Sequence, residues 1–222
     1  MKKSTGISLL LIMFLAACSS GKQFSTNDLA GAKVRTIAVL PVKVNFTGNL
    51  PKKFTPGMAD SLEREQGRVF QQSLVNNLLR YSGKNGKIPG ASFQSIDKTN
   101  GMLNSRNIDW KNLHNTDPDE LAKLLGVDAV VKMQVTSDRL MSDMASLGLG
   151  TLRNILFWGT NTGPEVTSSI TNKTAEVYAQ CSLLKDGKTL WTAEYKKATD
   201  WNTSIQDVIG SVSKKMGNGF PY

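Results

Sequence analysis

Histidine and cysteine are scarce in this chain of 222 residues, which has one histidine, His114, and two cysteines, Cys18 and Cys181. A zinc site needs several His, Cys or carboxylate ligands at close spacing, and hydrolase triads need a histidine beside a nucleophile. The glycines at 148–150 do not complete a dinucleotide fingerprint, because Arg153 stands where the third glycine belongs. The sequence therefore predicts no catalytic residues, no metal and no cofactor.

Long apolar runs are also missing. The run from Ile7 to Leu15, interrupted by Ser8, is far short of the ~20 residues that span a bilayer. It follows Lys2 and Lys3 and precedes small residues, which is the pattern of a secretory signal peptide. We therefore expect residues 1–17 to be a cleaved signal peptide.

The four residues Leu-Ala-Ala-Cys, Leu15 to Cys18, resemble the lipobox of bacterial lipoproteins. The resemblance implies cleavage between Ala17 and Cys18, with fatty acyl groups such as palmitate attached through the cysteine. Several acyl chains hold a protein stably on a membrane, whereas one does so only marginally. Because Ser19 and Ser20 follow instead of the aspartate that retains enteric lipoproteins in the inner membrane, the resemblance implies the outer membrane, with the domain facing the periplasm. An ordinary cleavage site beside an incidental cysteine is the alternative.

The mature chain is basic. Removing residues 1–17 takes away two lysines and no acidic residue, so the formal charge changes from +9 to +7. The lysines are scattered rather than gathered in an Arg-rich or aromatic-basic block, which indicates a solvated surface and no nucleic acid as a partner; a basic balance also suits an anionic membrane or cell-wall polymer. Lipidation of Cys18 leaves Cys181 without a partner for an intrachain disulfide, and its strand-like surroundings predict burial.

The chain divides into a lipidated tether, 18–33, and one α/β domain, 34–222, of ordinary size. The β-branched run at 35–44 predicts a first strand. Asp60 and Glu63 have the spacing of a capping box for a helix that runs to Tyr81 with Gly67 inside it, and 91–97 predicts a short second strand.

The second half of the domain carries stronger local signals. The segment Asp117-Pro118-Asp119-Glu120 predicts a helix amino terminus that accounts for this acidic cluster, with Gly126 as the stop and His114 exposed before it. Residues 127–137 predict a strand, and 173–198 a hairpin turning at Asp186-Gly187. An amphipathic helix from Ile205 closes at Gly217. The predicted order β-α-β-α-β-β-β-α indicates a single α/β sandwich, a mixed sheet with helices packed on it.

An apolar insert, residues 139–172, separates the third strand from the hairpin. It is either a helix buried on the domain's own core or a lip that contacts a partner subunit or a membrane interface, since Met-rich surfaces adapt to partners. The candidate contact residues are Met141, Met144, Leu147, Leu152, Phe157 and Trp158.

Three segments resemble periplasmic lipoproteins built on the TolB amino-terminal-like fold: IAVLPV after the tether, DELAKLLGVDAVVKMQV, and KDGKTLW. This family includes the curli-export channel subunit, the lipoprotein activator of penicillin-binding proteins and the exopolysaccharide-export ring lipoprotein. The ending GNGFPY is similar to that of other envelope lipoproteins with an FPY-type carboxyl end. The resemblance spans roughly 35–216 and implies the fold, whereas fold alone does not fix function.

These observations predict a non-enzymatic, outer-membrane-anchored scaffold that binds other envelope proteins, with a homo-oligomer formed through 139–172 as one possibility. A subunit of an oligomeric outer-membrane secretion channel of the curli-export type is the alternative. A third class, an envelope enzyme, requires a cleft that gathers His114 or several carboxylates with shifted pKa values.

Overall fold

A seven-stranded mixed sheet forms the centre of the computed structural model, which describes residues 21–29, 31–48, 50, 55–84, 88, 90–139, 175–199 and 204–222. The strands are β1 Gly21–Ser25, β2 Thr36–Val39, β3 Lys43–Gly48, β4 Ser92–Phe93, β5 Ala129–Arg139, β6 Ala175–Lys185 and β7 Lys188–Thr199. The helices are α1 Pro56–Tyr81, α2 Ile96–Ser105, α3 Trp110–Leu113, α4 Pro118–Leu125 and α5 Ile205–Gly219, with a 3-10 turn at Asn27–Leu29.

The sheet has the strand order β1-β7-β6-β5-β2-β4, with β3 beside β5 beyond the end of β2. Strands β5, β6, β7 and β1 pair antiparallel, whereas β2 and β3 run parallel to β5, and β4 parallel to β2. The predicted class, a single α/β domain with a mixed sheet, is confirmed.

Helices pack on both faces of this sheet. Helices α1 and α5 cover the inner face, where Phe70, Leu74, Val212 and Met216 join a core that includes Trp191. A smaller core lies on the outer face, where α2, α3 and α4 cover part of β2 and β5. Its fully buried members are Ala38, Leu40, Leu113, Leu121, Leu125 and Val130. The two cores explain why the chain needs helices before and after the β5–β6–β7 meander.

Cys181 lies in β6 with none of its surface exposed, as predicted. Burial raises the pKa of the thiol far above its usual range, so the sulfur stays protonated. The residue therefore acts as a small apolar part of the core.

The predicted first strand, 35–44, is two strands. Thr36–Val39 pairs with the first part of β5, and Lys43–Gly48 with the rest, so the two strands lie end to end along one neighbour. Between them, the Val42 amide donates to the carbonyl of Gly67 on α1, at 3.3 Å. Pro41, which has no amide hydrogen, stands at this junction, so the strand breaks there.

The start of α1 differs from the predicted capping box. The helix begins at Pro56, one turn earlier, and the Thr55 hydroxyl accepts from the Met58 amide at 3.3 Å. Asp60 lies inside the helix, and the Glu63 carboxylate accepts instead from the Phe46 amide of β3, at 3.0 Å. The prediction that Asp60 and Glu63 cap this helix was wrong, because a proline at the first helical position with a threonine before it is an equally good helix start.

Strand β1 lies within the segment that the sequence assigned to a tether. Gly21–Ser25 pairs antiparallel with β7, and the following turn buries Leu29, so residues before the predicted boundary at 34 pack with the domain. The pentapeptide GKQFS contains no β-branched residue, and its strand conformation comes from the edge that β7 offers. Local patterning alone could not have predicted it.

Helix α2 was also missed, since 91–97 predicted only a strand. Two residues, Ser92–Phe93, form β4, and the helix starts at Ile96 because the Ser95 hydroxyl accepts from the Lys98 amide. By contrast, α4 and the hairpin match the prediction. Gly126 adopts the left-handed conformation, and Asp186 and Gly187 both have positive φ.

The carboxyl-terminal residues complete the inner core. Helix α5 continues past the predicted stop to Gly219, and the ring of Phe220 then packs edge-on against Trp191, with 5.2 Å between ring centres. Tyr222 is 1 % exposed, and its hydroxyl donates to the Ala32 carbonyl at 3.3 Å. In this chain the FPY ending is therefore part of the core.

Candidate functional site

The predicted site residues at the amino terminus and in the apolar insert lie outside the described part of the chain. They are Ala17, Cys18, Met141, Met144, Leu147, Leu152, Phe157 and Trp158. The residues beside them are placed. Arg139, the first residue of the insert, and Ala175, three residues after its last, are partners in the β5–β6 register, and Ala175 also pairs with Thr199 of β7. We call this edge, Arg139 with Ala175 and Thr199, the anchor end of the sheet.

The amino terminus enters near the same end. Gly21 pairs with Tyr195, four residues before Thr199, or about 13 Å along β7. Because β1 runs antiparallel to β7, its first residue, Gly21, lies at the end of β1 that faces the anchor end. The topology therefore places the described residue nearest to Cys18 in sequence and the described residues that border the insert toward one end of the sheet.

No described helix covers the outer face of the sheet beside the anchor end. Along β6 and β7, Val177, Ala179 and Tyr195 point to the inner core, whereas their neighbours alternate to solvent. Within the described ranges, α4 packs against β5 and β6 only at the far end of this face. We call the exposed and half-buried side chains on this side the open face: Lys22, Phe24, Gln134, Thr136, Tyr178, Gln180, Ser182, Thr192, Glu194, Lys196 and Ala198.

An ion-pair cluster fixes one aromatic ring on the open face. Glu176 is 9 % exposed, and its carboxylate accepts from the Tyr178 hydroxyl and lies 3.1 Å from Lys196 Nζ. The same ammonium lies 4.8 Å from the centre of the Tyr178 ring. Hydrogen bonds to Tyr178 and Glu176 raise the pKa of Lys196, so the ammonium stays charged. These contacts hold the ring of Tyr178 in one position at the surface.

Phe24 is the most exposed large apolar residue that the structure describes, at 61 % of its surface. It lies on β1, the terminal strand of the sheet, opposite Thr192. An edge strand carries unpaired backbone groups that another chain can use. The open face thus combines two surface aromatics and a polar background with the edge strand β1, which pairs only with β7 among the described strands.

His114 is half-buried, and the prediction that it is exposed was wrong. The loop before α4 turns back over the sheet, so Nε2 donates to the Pro41 carbonyl at 2.8 Å, while the buried Nδ1 has no partner among the described residues. Burial lowers the pKa of His114 to about 4, helped by the charges of Lys132 and Lys43, although the Pro41 hydrogen bond acts in the opposite direction. The histidine is therefore neutral at pH 7 and structural.

This environment predicts a loss of stability in acid. Below about pH 6.5 the unfolded chain takes up a proton on His114, whereas the folded protein does so only near pH 4. The free energy of unfolding should therefore fall as the pH drops through this window, by up to about 3 kcal/mol. Urea titrations at several pH values should show that the free energy of unfolding changes less with pH in His114→Gln, because glutamine is uncharged and can still donate to Pro41. An equal dependence of the unfolding free energy on pH in the normal protein and the variant would contradict the claim that His114 is buried and neutral.

The described residues do not bring His114 together with carboxylates. A cavity of about 450 Å³ at the far end of the sheet is lined by Asp119, Asp128 and Asp186 with two lysines. Burial tends to raise the pKa of Asp128, but hydrogen bonds from the Arg35 and Thr36 amides, both 2.9 Å, outweigh it and lower the pKa. This carboxylate thus ties β2 to the start of β5 rather than serving a ligand.

No group of three or more metal-binding side chains is found in the ranges that the structure covers. Within the same ranges, no helix combines the length and the apolar character needed to cross a membrane.

Comparison with known proteins gives solved structures of low similarity. No protein-family model matches the chain, and no curated protein sequence is similar to it. The PelC dodecamer from Paraburkholderia phytofirmans is 14% identical with a TM-score of 0.43, covering 92% of this chain and 99% of that one. Lipoprotein GNA1162 from Neisseria meningitidis is 15% identical with a TM-score of 0.38, covering 83% and 94%. The LpoB C-terminal domain from Salmonella enterica is 11% identical with a TM-score of 0.37, covering 74% and 83%.

Proposed function

We propose that this protein is a non-enzymatic envelope lipoprotein, anchored in the outer membrane through Cys18, whose α/β domain binds and positions other envelope proteins. The observation that carries the proposal is the shared anchor end. Gly21, the described residue nearest to Cys18, begins β1 on the side of the sheet where Arg139 and Ala175 border the insert. A domain held by lipid at that side presents the insert toward the membrane or toward a partner at its surface.

The open face is the binding surface in this proposal. It is continuous with the anchor end, because Tyr178 and Lys196 lie within a few residues of Ala175 and Thr199. Its polar background suits a partner that binds and dissociates, since permanent interfaces are more apolar. Phe24 and the fixed ring of Tyr178 supply the aromatic contacts that contribute most to such interfaces.

Crosslinking in intact cells tests this proposal. A photoreactive amino acid replaces Phe24 on the open face or, as the matched control, Leu79, which is 55 % exposed on α1. We expect adducts with an envelope protein, or with a second copy of the chain, from position 24 and none from position 79. A protein that stays uncrosslinked from position 24, at normal abundance, would contradict a binding role for this face.

A secretion-channel subunit is a second candidate, favoured by the strands that flank the insert. Strands β5 and β6 remain paired up to Arg139 and Ala175, an antiparallel arrangement that membrane-inserted hairpins also require. Detergent extraction followed by sizing and conductance measurements separates the candidates. A channel requires a large ring that conducts ions, whereas a scaffold requires neither.

A further inference from the structure

We propose that a cluster of lysines beside Gly21 docks the domain directly on an anionic phospholipid surface. We call this cluster the lysine rim: Lys22, Lys196, Lys197, Lys214 and Lys215. The proposal rests on the lipid anchor of the proposed function and adds a second contact with the membrane, made by the folded domain itself.

The first step is the length of the link. Two residues, Ser19 and Ser20, lie between Cys18 and Gly21, so the three extended steps that join their α-carbons span at most about 10 Å. Gly21 is fixed in the sheet by its pairing with Tyr195. A lipid on Cys18 therefore keeps the membrane surface within about 10 Å of Gly21, and the domain lies against the membrane.

The second step is what surrounds Gly21. A methyl group built on Gly21 would lie 3.3 Å from the Lys215 ammonium, so this side chain of α5 already extends across the start of β1. Lys22 and Lys214 follow as exposed neighbours on the strand and the helix. On β7, Lys196 and Lys197 come directly after Tyr195, the partner of Gly21, on the side of the anchor end.

The third step is the balance of charge. The carboxylates facing the rim from its neighbouring strands are Glu176, which bonds Lys196, and Glu194, which lies opposite Lys22. The rim therefore keeps a net positive charge. Charges interact through salt water over about 10 Å, which is comparable to the distance that the short link allows between Gly21 and the headgroups. Each lysine near an anionic membrane surface contributes to binding, so the rim and the lipid act together.

Vesicle flotation tests the docking surface without the anchor. The probe is the mature chain from residue 18 with Cys18→Ser, mixed with vesicles of phosphatidylcholine containing 30 mol% phosphatidylglycerol, a composition of about bacterial anionic content. We expect binding at low salt, release at about 0.5 M NaCl, and no binding to pure phosphatidylcholine. Replacing Lys22, Lys214 and Lys215 by alanine should weaken partitioning about tenfold or more.

The matched control removes the same charge elsewhere. Lys33, Lys98 and Lys123 are exposed and lie away from Gly21, so their triple alanine variant should retain most of the binding. Thermal unfolding of both triple variants checks that the fold is kept. Three results would overturn the proposal that the lysine rim binds the membrane. They are equal losses of binding in the two variants, no binding to anionic vesicles, and release by free phosphate below the ionic strength at which NaCl releases the protein. None of these results bears on lipidation, which Cys18→Ser in cells tests separately.

Discussion

Replacing Cys18 by serine is expected to abolish acylation of the protein completely. In the lipobox that Leu15 to Cys18 resemble, the acyl-bearing group is attached to sulfur, and a serine hydroxyl is a far weaker nucleophile than a thiolate. Cells grown with labelled palmitate should show label in the normal protein and none in Cys18→Ser. Mass spectrometry of the normal protein should find an acylated cysteine as its first residue, with residues 1–17 removed.

The chain supplies its own control in its other cysteine. Cys181 is wholly buried in β6, with a pKa raised by that burial, so it is no acceptor for a lipid. Cys181→Ser should keep the label and the membrane location unchanged. If the label disappeared in Cys181→Ser or persisted in Cys18→Ser, the lipid anchor on Cys18 and the proposed membrane location of the protein would both be contradicted.

The parts of the fold that the sequence predicts well are those set by local chemistry. At α4, the Asp117 carboxylate caps the Asp119 amide, Pro118 begins the helix, and Gly126 ends it with a φ of 65°. In the hairpin, Asp186 and Gly187 take the positive φ angles that a two-residue turn requires. Each of these signals lies within a few residues, so a single sequence contains all the information.

The parts that the sequence missed depend on contacts between distant segments. Strand β1 exists because β7 offers an edge, and Glu63 serves β3 rather than its own helix end. The same division applies to the candidate site. The lipobox-like motif is local, whereas the strand order decides that Gly21, Arg139 and Ala175 lie toward the same end of the sheet, and the open face follows from where α4 stops covering the sheet.

Gly67→Ala is expected to destabilise the folded domain by about 2–3 kcal/mol, although alanine favours a helix by about 1 kcal/mol over glycine. The sequence shows Gly67 only as a glycine inside the predicted helix. In the structure, a Cβ on Gly67 would lie 2.3 Å from the Val42 carbonyl oxygen, which belongs to the backbone and cannot rotate away. Thermal unfolding should show a melting temperature lower by roughly 5–10 °C.

The same substitution at Gly210 should have the opposite sign. Gly210 lies in α5, and a Cβ there meets nothing within 4 Å, so alanine gains its helix preference, up to about 1 kcal/mol. If both variants were stabilised, α1 would not approach the junction between β2 and β3 as closely as 2.3 Å implies. That approach has a structural consequence for the site: α1 holds the junction at Val42, and the junction lets β3 continue along β5 to the anchor end. A bulkier residue at 67 should therefore disturb the site's framework as well as the stability of the domain.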